Sequence, residues 1–414
     1  MAQIEADRRL RGEPYAVRGP VTGAERALAP DLARGVMLLF IALANAAGVV
    51  FGGQLGADPA PEGVERGVNF FMFTLVHCRA YPVFAVMFGY GLVQLARRQE
   101  AAGATPEMVR SVLLRRNAWL VVFGFLHGVL LYFGDFLAAY GVVGIIASVV
   151  LLRRGERVQR AVLWIWAGSA LHVLVLAALA AWRVSHSSSE QAVVPMSKVG
   201  SLVAPDYATS VLERLVEWPA HTATVLPFIM IVWLGMWAAR RRLLEDPASH
   251  RRLLRRVAAA GLGIAIAGGL PLGLASAGIL HTDSSGVAHI FLLHQVSGMF
   301  AGPGYVALFG LVALGMSRGG IGVIGSLAAL GQRSLSGYLF QSVAWLLLLA
   351  PYTLGLGERT GEPTLTAVVV AVLVWLTTAA AAAALQRRSM PGPAEWLLRR
   401  LTYRSGRAPW RAGQ

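Results

Sequence analysis

Residues 125–141, FLHGVLLYFGDFLAAYG, are almost entirely apolar residues and glycine, but His127 and Asp135 interrupt them. Ionisable side chains are expensive in hydrocarbon, so each one there calls for a partner or a function. The stretch predicts a helix crossing a membrane, an outer turn of one or two residues, and a returning helix. Apolar stretches of similar length recur along the whole chain.

The composition is that of a membrane protein. Of the 414 residues, 56% are hydrophobic and 14% are charged. About 20 apolar residues span a bilayer, and only helices and closed barrels satisfy their backbone in lipid. We therefore predict an all-α, polytopic integral membrane protein with about ten transmembrane helices. The spans lie near 32–52, 68–96, 117–134, 136–152, 161–182, 221–239, 257–280, 288–316, 333–350 and 364–385.

The basic residues follow this topology. Of the 37 Lys and Arg residues, 30 lie in alternate gaps between spans and five in the opposite gaps. The positive-inside rule then places both termini in the cytoplasm and predicts a multi-pass protein of the cytoplasmic (inner) membrane. Because the basic residues are confined to short gaps, we expect no nucleic-acid partner despite the net charge of +15.

The gaps also divide the chain. We predict a cytoplasmic N-terminal tail (1–30), a single transmembrane domain (31–385) and a cytoplasmic C-terminal segment (386–414). The outer segment 183–220 ends in YATSVLERLVEW, which predicts either an amphipathic helix at the outer interface or a linker. The sequence GPAEWLLRRLTYR (392–404) interleaves apolar residues with arginines and predicts an amphipathic helix on the anionic inner leaflet.

The second span, VNFFMFTLVHCRAYPVFAVMFGYGL, carries Arg79 inside the membrane and Pro82 shortly after. Proline suits the first turn of a helix and disrupts its interior, so we predict a break near 78–81. A helix N-terminus in the membrane favours anions. Arg79 therefore either binds a ligand there or forms a structural salt bridge, for which Asp135 is a candidate. His77 could share a site with Arg79 only at such a break.

His127 and Asp135 are candidate catalytic residues, each with a structural alternative. If the helix is regular, they are about 12 Å apart along its axis, so no direct hydrogen bond is expected. Asp135 could instead cap the next helix. His127 lies between Gly124 and Gly128, a small-xxx-small motif that brings helices close. It is either a buried, hydrogen-bonded histidine or a general base.

Three further polar residues lie in or at the spans near their ends. Arg34 either pairs with Asp31, three residues earlier, or grips a phosphate of a ligand that enters from the cytoplasm. Asn45 either hydrogen-bonds a neighbouring helix or positions a substrate. His294 follows an apolar run and could face a cavity.

Gln341 and Ser342 form a polar pair in the middle of span nine, where they join helices or contact a substrate. His289 and His294 are five residues apart rather than the four of a helical metal pair, and no acid follows nearby in the span. We therefore expect no metal site.

Several motifs together resemble a known family. They are PDLARGVMLLFIALANAAG, AYPVFAVMFGYGL, GFLHGVLLYFGDFLAAYGVVG, LPFIMIVWLGMWAARRRLL, GPGYVALFGLVALG, GQRSLSGYLFQS and GPAEWLLRRLTY, in that order. They resemble the YeiB-like bacterial membrane family, the "domain of unknown function 418", over nearly the whole chain. This resemblance implies a fold rather than a reaction. The chain departs from the family pattern with Cys78-Arg79 in place of Gly-Lys and with Gly337 in place of Asn.

The first two motifs are more distantly similar to transmembrane acyltransferases of the heparan-glucosaminide acetyltransferase type. That resemblance implies that Asn45 lies in the site. The histidine that those enzymes use lies shortly after this Asn, but residues 46–63 contain none. His127 or a histidine of span eight would have to replace it.

The leading prediction is a transmembrane acyltransferase-like protein that moves an acyl group from cytoplasmic acyl-CoA to an extracytoplasmic or membrane-embedded sugar or lipid acceptor. His127, Asn45 and Asp135 would serve catalysis, and Arg34, Arg79, His294 and Gln341 would bind substrate. No permanently bound cofactor is expected, and acyl-CoA would be a co-substrate. The alternatives are a transporter or flippase for an anionic or amphipathic solute and a non-catalytic assembly partner. A homodimer is left open.

Overall fold

The computed structural model describes residues 28–53, 55–187, 194, 197–316 and 322–403. Within these ranges the protein is helical, and the only extended pairing is an isolated bridge between Gly53 and Lys198. The helices are α1 Leu28–Phe51, α2 Val64–Phe71, α3 Ala80–Ala101, α4 Pro106–Leu130, α5 Leu137–Ile146, α6 Glu156–Ser185, α7 Tyr207–Val225, α8 Ile229–Arg240, α9 Arg251–Ser276, α10 Ser284–Gly298, α11 Ala301–Leu314, α12 Val323–Gln332, α13 Ser334–Leu348, α14 Leu356–Arg359, α15 Pro363–Arg387 and α16 Pro393–Thr402.

In the described ranges, eight helical segments are long and apolar enough to cross a membrane: 28–51, 64–101, 106–130, 156–185, 207–240, 251–276, 284–314 and 363–387. The predicted spans at 136–152 and 333–350 correspond to shorter apolar helices, Leu137–Leu151 and Ser334–Leu348. The prediction of an all-α, polytopic membrane protein is confirmed. The short helix α12, directly before α13, was not predicted.

The outer helices expose apolar side chains as lipid contact requires. On α6, Trp164 is 81% exposed and Leu174 is 67% exposed. The inner helices pack closely through glycine, as in the contact of α3 with α8. There, Gly89 lies against the Val232 carbonyl and Gly235 against the Val86 carbonyl, so a Cβ at either position would clash.

The turn between α4 and α5 differs from the prediction. Helix α4 ends at Leu130 and α5 begins at Leu137, so six residues rather than one or two connect them. The small-xxx-small motif is used as predicted, because Gly124 lies against the backbone of Ala138 in α5. The longer turn allows the chain to fold back along α4 before α5 begins.

The second span is broken close to the predicted position. A π-helical turn, Met72–Val76, follows α2, and α3 begins at Ala80 with Pro82 in its first turn. Cys78 lies between them with φ of 63°, a conformation that favours glycine. The break therefore contains a residue in a backbone conformation that side chains other than glycine rarely adopt.

The amphipathic part of the outer segment forms a helix rather than a linker. Helix α7 continues through a 3₁₀ turn, Leu226–Phe228, into α8. Its polar residues Ser210 and Arg214 are buried against the protein, whereas Val216 is 76% exposed. Residues 188–193 and 195–196 of this segment lie outside the described residues.

The C-terminal amphipathic segment forms α16, which is joined to the start of α13. The Glu395 carboxylate accepts hydrogen bonds from the backbone N–H groups of Leu335 and Ser336 and from the Ser336 hydroxyl. The Ser336 hydroxyl in turn accepts from the backbone N–H of Ala394. The motifs GQRSLSGYLFQS and GPAEW thus cap each other's helices. Residues 404–414, which end this segment, and most of the predicted tail 1–30, residues 1–27, lie outside the described ranges.

We expect Glu395→Ala to free α16 from α13 without unfolding the spans, because a lost helix cap costs about 1–2 kcal/mol. Amide hydrogen exchange over 393–402 should rise, and trypsin should cut faster after Arg399. The exposed Glu358 offers a matched control, and Glu358→Ala should leave both readouts unchanged. Equal exchange rates in all three proteins would contradict the cap.

Candidate functional site

A cavity of about 780 Å³ runs along α3 between α1, α4, α13 and α16. It is lined on α3 from Ala80 to Arg98, a distance of about 27 Å along that helix. On α1 it is lined from Pro30 to Asn45. None of the described residues of the outer segment 183–220 lines it. The cavity therefore extends from the membrane surface deep into the helix bundle.

Six arginines line one end of the cavity, which we call the mouth: Arg34, Arg97, Arg98, Arg116, Arg242 and Arg399. They come from α1, α3, α4, the loop after α8 and α16. All belong to gaps or span edges on the side that the positive-inside rule predicts to be cytoplasmic. The mouth also holds the carboxylates Asp31, Glu245 and Glu395, so its side chains sum to a positive charge.

Of the two predicted readings of Arg34, the structure shows the pair with Asp31, and the contact with a ligand phosphate stays a prediction. Its Nη1 lies 3.8 Å from Asp31 Oδ1, and its Nη2 donates to the Met87 carbonyl at 3.4 Å. At the same time its side chain is 27% exposed and lines the cavity. Arg34 is thus held in place by Asp31 while part of its guanidinium faces the cavity.

Arg116, which the sequence did not single out, is more available to a ligand. Its Nη1 is buried and has no hydrogen-bond partner among the described residues. Its guanidinium lies 5.7 Å from the centre of the Phe88 ring. A buried donor without a partner is costly, and an anion in the mouth would satisfy it.

Glu245, in the loop after α8, is the third carboxylate of the mouth. It accepts hydrogen bonds from the Tyr90 hydroxyl and, at 2.9 Å, from the Gln94 side-chain amide. Partial burial raises the pKa of Glu245 above its ordinary value. The charge of the mouth therefore depends on whether this carboxyl group is ionised.

The deep end of the cavity is mainly aromatic, with a few polar groups. It is lined by Phe84, Phe136, Tyr140, Tyr338, Tyr81, Cys78 and Asn45. Asn45 is half-buried, and within the described part of the chain its side chain makes no hydrogen bond. Of the two readings predicted for Asn45, a bond to a neighbouring helix is not formed. Asn45 lines the same cavity as the first residues of α3, Ala80 and Tyr81.

Arg79 does not pair with Asp135, so that predicted salt bridge is wrong. Its guanidinium lies behind the break and donates to the carbonyls of His77 and Ala265. It also lies 3.0 Å from the Nδ1 of His294. Arg79 and His294 are 1% and 0% exposed. The structure thus joins two predicted substrate-binding residues, but neither lines the cavity.

His127 and Asp135 are directly hydrogen-bonded, and the prediction that they lie too far apart was wrong. Nδ1 of His127 is 2.9 Å from Oδ1 of Asp135. The prediction assumed that the helix continues to residue 134. Because α4 ends at Leu130, the turn instead carries Asp135 back toward His127. Asp135 also accepts from the backbone N–H groups of Leu137 and Ala138, so it caps α5 as the alternative reading predicted.

The second nitrogen of His127 has a partner that was not assigned to the site. Its Nε2 lies 2.8 Å from the Ser342 hydroxyl oxygen on α13. The neighbouring Gln341 donates to the Leu38 carbonyl at 3.3 Å, and its Oε1 is buried without a hydrogen-bond partner in the described chain. The only advance signal for Ser342 was its place in a polar pair within an apolar span.

The amino-acid sequence is similar to those of several bacterial proteins. Residues 238–405 match the family model described as "Protein of unknown function (DUF418)". The chain is 28% identical over 403 residues to the uncharacterized protein YeiB of Escherichia coli, covering 92% of this chain and 97% of YeiB. It is 26% identical over 357 residues to the uncharacterized protein YxaH of Bacillus subtilis, covering 80% of each chain.

The chain is thus similar to the DUF418 family over residues 238–405 and to YeiB and YxaH over most of its length. The matched region contains the interlock of Glu395 with Ser336 and also Gln341 and Ser342. The names of these relatives give no reaction, so the chemistry has to be argued from the cavity and its surroundings.

The position of Arg79 depends on Gly269 of α9, because a Cβ there would overlap the guanidinium. We expect Gly269→Ala to lower the free energy of unfolding by about 1–3 kcal/mol, as overpacking does. The control is Gly263→Ala in the same helix, where a Cβ meets no atom within 4 Å and helix propensity improves. Thermal unfolding in detergent checks both. A Gly269→Ala protein as stable as the control would show that Arg79 is not confined there.

Proposed function

We propose that the protein is a transmembrane acyltransferase that takes an acyl-CoA into this cavity from the cytoplasmic side of the bacterial inner membrane. The observation that supports this most is the polarity of the cavity, with six arginines at the mouth and an aromatic interior. An acyl-CoA has the same polarity, because its nucleotide carries several phosphates and its thioester lies at the end of a long, weakly polar arm.

The size of the cavity suits such a ligand. Small-molecule sites occupy about 300–1,000 Å³ and are mostly apolar with a few placed polar groups. At about 780 Å³ the cavity lies in the upper part of that range. Its length along α3 would let the phosphates remain at the arginines while the thioester reaches the break at Cys78.

The deep end offers groups that could polarise a thioester carbonyl. The Asn45 amide lies there, as does the first turn of α3, where backbone N–H groups without helical acceptors favour developing negative charge. An acceptor hydroxyl or amine of a sugar or lipid would have to meet the thioester at this end. The Asn45 amide and the first-turn N–H groups of α3 would thus stabilise the oxygen of the thioester during acyl transfer.

We expect Arg116→Gln to weaken the binding of a non-hydrolysable acyl-CoA analogue by about 10- to 100-fold. A hydrogen bond to a charged group contributes about 1.5–3 kcal/mol, and about 1.4 kcal/mol changes an affinity tenfold. Isothermal titration calorimetry at two salt concentrations measures this loss and its screening.

The matched control is Arg110→Gln, which removes the same charge from the exposed face of the same helix. Its affinity should change by less than about threefold, because a distant surface charge is screened by salt. Equal losses in the two variants would show that the mouth does not bind the phosphates.

Glu245 predicts a pH dependence for the same binding. Its pKa is raised by burial, so on acidification it loses its negative charge earlier than an ordinary carboxylate and the mouth becomes more positive. Analogue binding should therefore strengthen as pH falls through this raised pKa and stay at its weaker level above it. In Glu245→Gln the tighter binding should persist at all pH values. An unchanged pH profile in that variant would exclude Glu245 as the cause.

A second candidate, transport of an anionic amphiphile, is favoured by one observation. Neither His127, the predicted base, nor His294, a predicted substrate-binding residue, lines the cavity. A carrier needs the cavity and its charge but no base. Liposome counterflow of an anionic amphiphile in the absence of any acyl donor would support this reading, whereas acyl transfer without net movement would support the first.

A further inference from the structure

Three buried side chains form a hydrogen-bonded relay next to the deep end of the cavity. The Asp135 carboxylate is 2.9 Å from Nδ1 of His127, and Nε2 of His127 is 2.8 Å from Oγ of Ser342. This order of carboxylate, imidazole and hydroxyl is the one used to activate a serine nucleophile, and both distances fit that role.

The surroundings fix the proton positions that such a relay needs. The backbone N–H groups of Leu137 and Ala138 hold the Asp135 carboxylate in place, so it accepts a hydrogen bond from Nδ1–H of His127. Nε2 of His127 is then an acceptor for the Ser342 hydroxyl. That hydroxyl has another acceptor, the Tyr338 carbonyl, at the longer distance of 3.3 Å.

Satisfied structural hydrogen bonds alone do not explain the whole cluster. Polar and ionisable groups in a membrane interior are expensive where leucine would pack. Beside Ser342, the buried Oε1 of Gln341 has no hydrogen-bond donor among the described residues. This unpartnered acceptor, one residue before Ser342 in α13, is available to a donor group of a ligand.

One side chain stands between the relay and the cavity. The Tyr338 ring packs on the His127 ring with 4.7 Å between centres, and Tyr338 also lines the cavity. Its hydroxyl is held by the Gly134 carbonyl at 3.3 Å. Access from the cavity to Ser342 would require Tyr338 to rotate about its side-chain bonds.

We propose that Ser342 is the nucleophile of a Ser342–His127–Asp135 triad that carries the acyl group between donor and acceptor; this rests on the proposed function. Oγ of Ser342 attacks the thioester carbonyl, and its proton moves to Nε2 of His127. The carbon–sulfur bond breaks, and the leaving thiolate takes that proton. An acceptor hydroxyl or amine then attacks the ester, gives its proton to His127, and Ser342 recovers that proton.

Single-turnover labelling tests the triad. The purified full-length protein is mixed with radiolabelled acetyl-CoA without acceptor, quenched, and digested for peptide mass spectrometry. We expect one acetyl group on the peptide that contains Ser342, stable to neutral hydroxylamine as an oxygen ester is. Ser342→Ala should abolish the label and Asp135→Asn should slow its appearance at least tenfold, whereas Tyr338→Ala should accelerate it by opening the path.

Cys78→Ser is the control for the nucleophile, because Cys78 lines the cavity and a thioester there would be removed by hydroxylamine. The label should persist in Cys78→Ser. A label that is lost in Cys78→Ser and kept in Ser342→Ala would overturn the proposal.

Binding of a thioether analogue, measured in every variant, separates the two levels of inference. If the analogue binds the wild type but no residue is acylated, the triad fails and the proposed function stands. If the analogue does not bind the wild type, the proposed function fails and the triad falls with it.

Discussion

Hydrocarbon offers no hydrogen-bond partners, so a polar group within the bundle is costly unless the protein itself satisfies it. Arg79 shows how strongly this constraint shapes the structure. Its guanidinium is surrounded by the carbonyls of His77 and Ala265 and by the His294 ring. Two of these acceptors, His294 on α10 and Ala265 on α9, tie those helices to the break in the second span. Because the break is held in this way, α3 can begin in the membrane, and its first turn forms one end of the cavity.

The cavity also depends on where the remaining charges lie. The arginines gather at the mouth because most lie near a helix end or in a loop on one side of the bundle, while Arg34 and Arg116 lie about two to three turns inside α1 and α4. Asn45 and the aromatic side chains occupy the interior, where a full charge would be expensive. The cavity thus changes from positively charged at the mouth to aromatic and weakly polar at its deep end. A ligand that is anionic at one end and weakly polar at the other matches it along its whole length.

The length and composition of the apolar stretches were enough to predict an all-α membrane fold, because the membrane leaves few other structures available, although the short helix α12 was missed. The break was predictable from Pro82 and Arg79 alone. The contacts within the site were not, because they depend on events that no local pattern encodes. His127 contacts Asp135 only because α4 ends at Leu130, and no proline or polar cluster in the sequence predicts that helix end. The contacts of Arg79 with His294 and of His127 with Ser342 join residues 215 positions apart, and their partners follow only from packing.

The hydrogen bonds between Glu395 and the start of α13 join the mouth of the cavity to the relay. Glu395 caps α13, and α13 carries both Tyr338, which closes the relay off from the cavity, and Ser342. Helix α16 meanwhile contributes Arg399 and Tyr403 to the mouth. Because Glu395 of α16 accepts hydrogen bonds from the first turn of α13, the helix that contributes Arg399 to the mouth is joined to the helix that holds Tyr338. The motifs of α13 and α16 thus connect the arginines of the mouth, where an anion would bind, to Tyr338, which lies between the relay and the cavity.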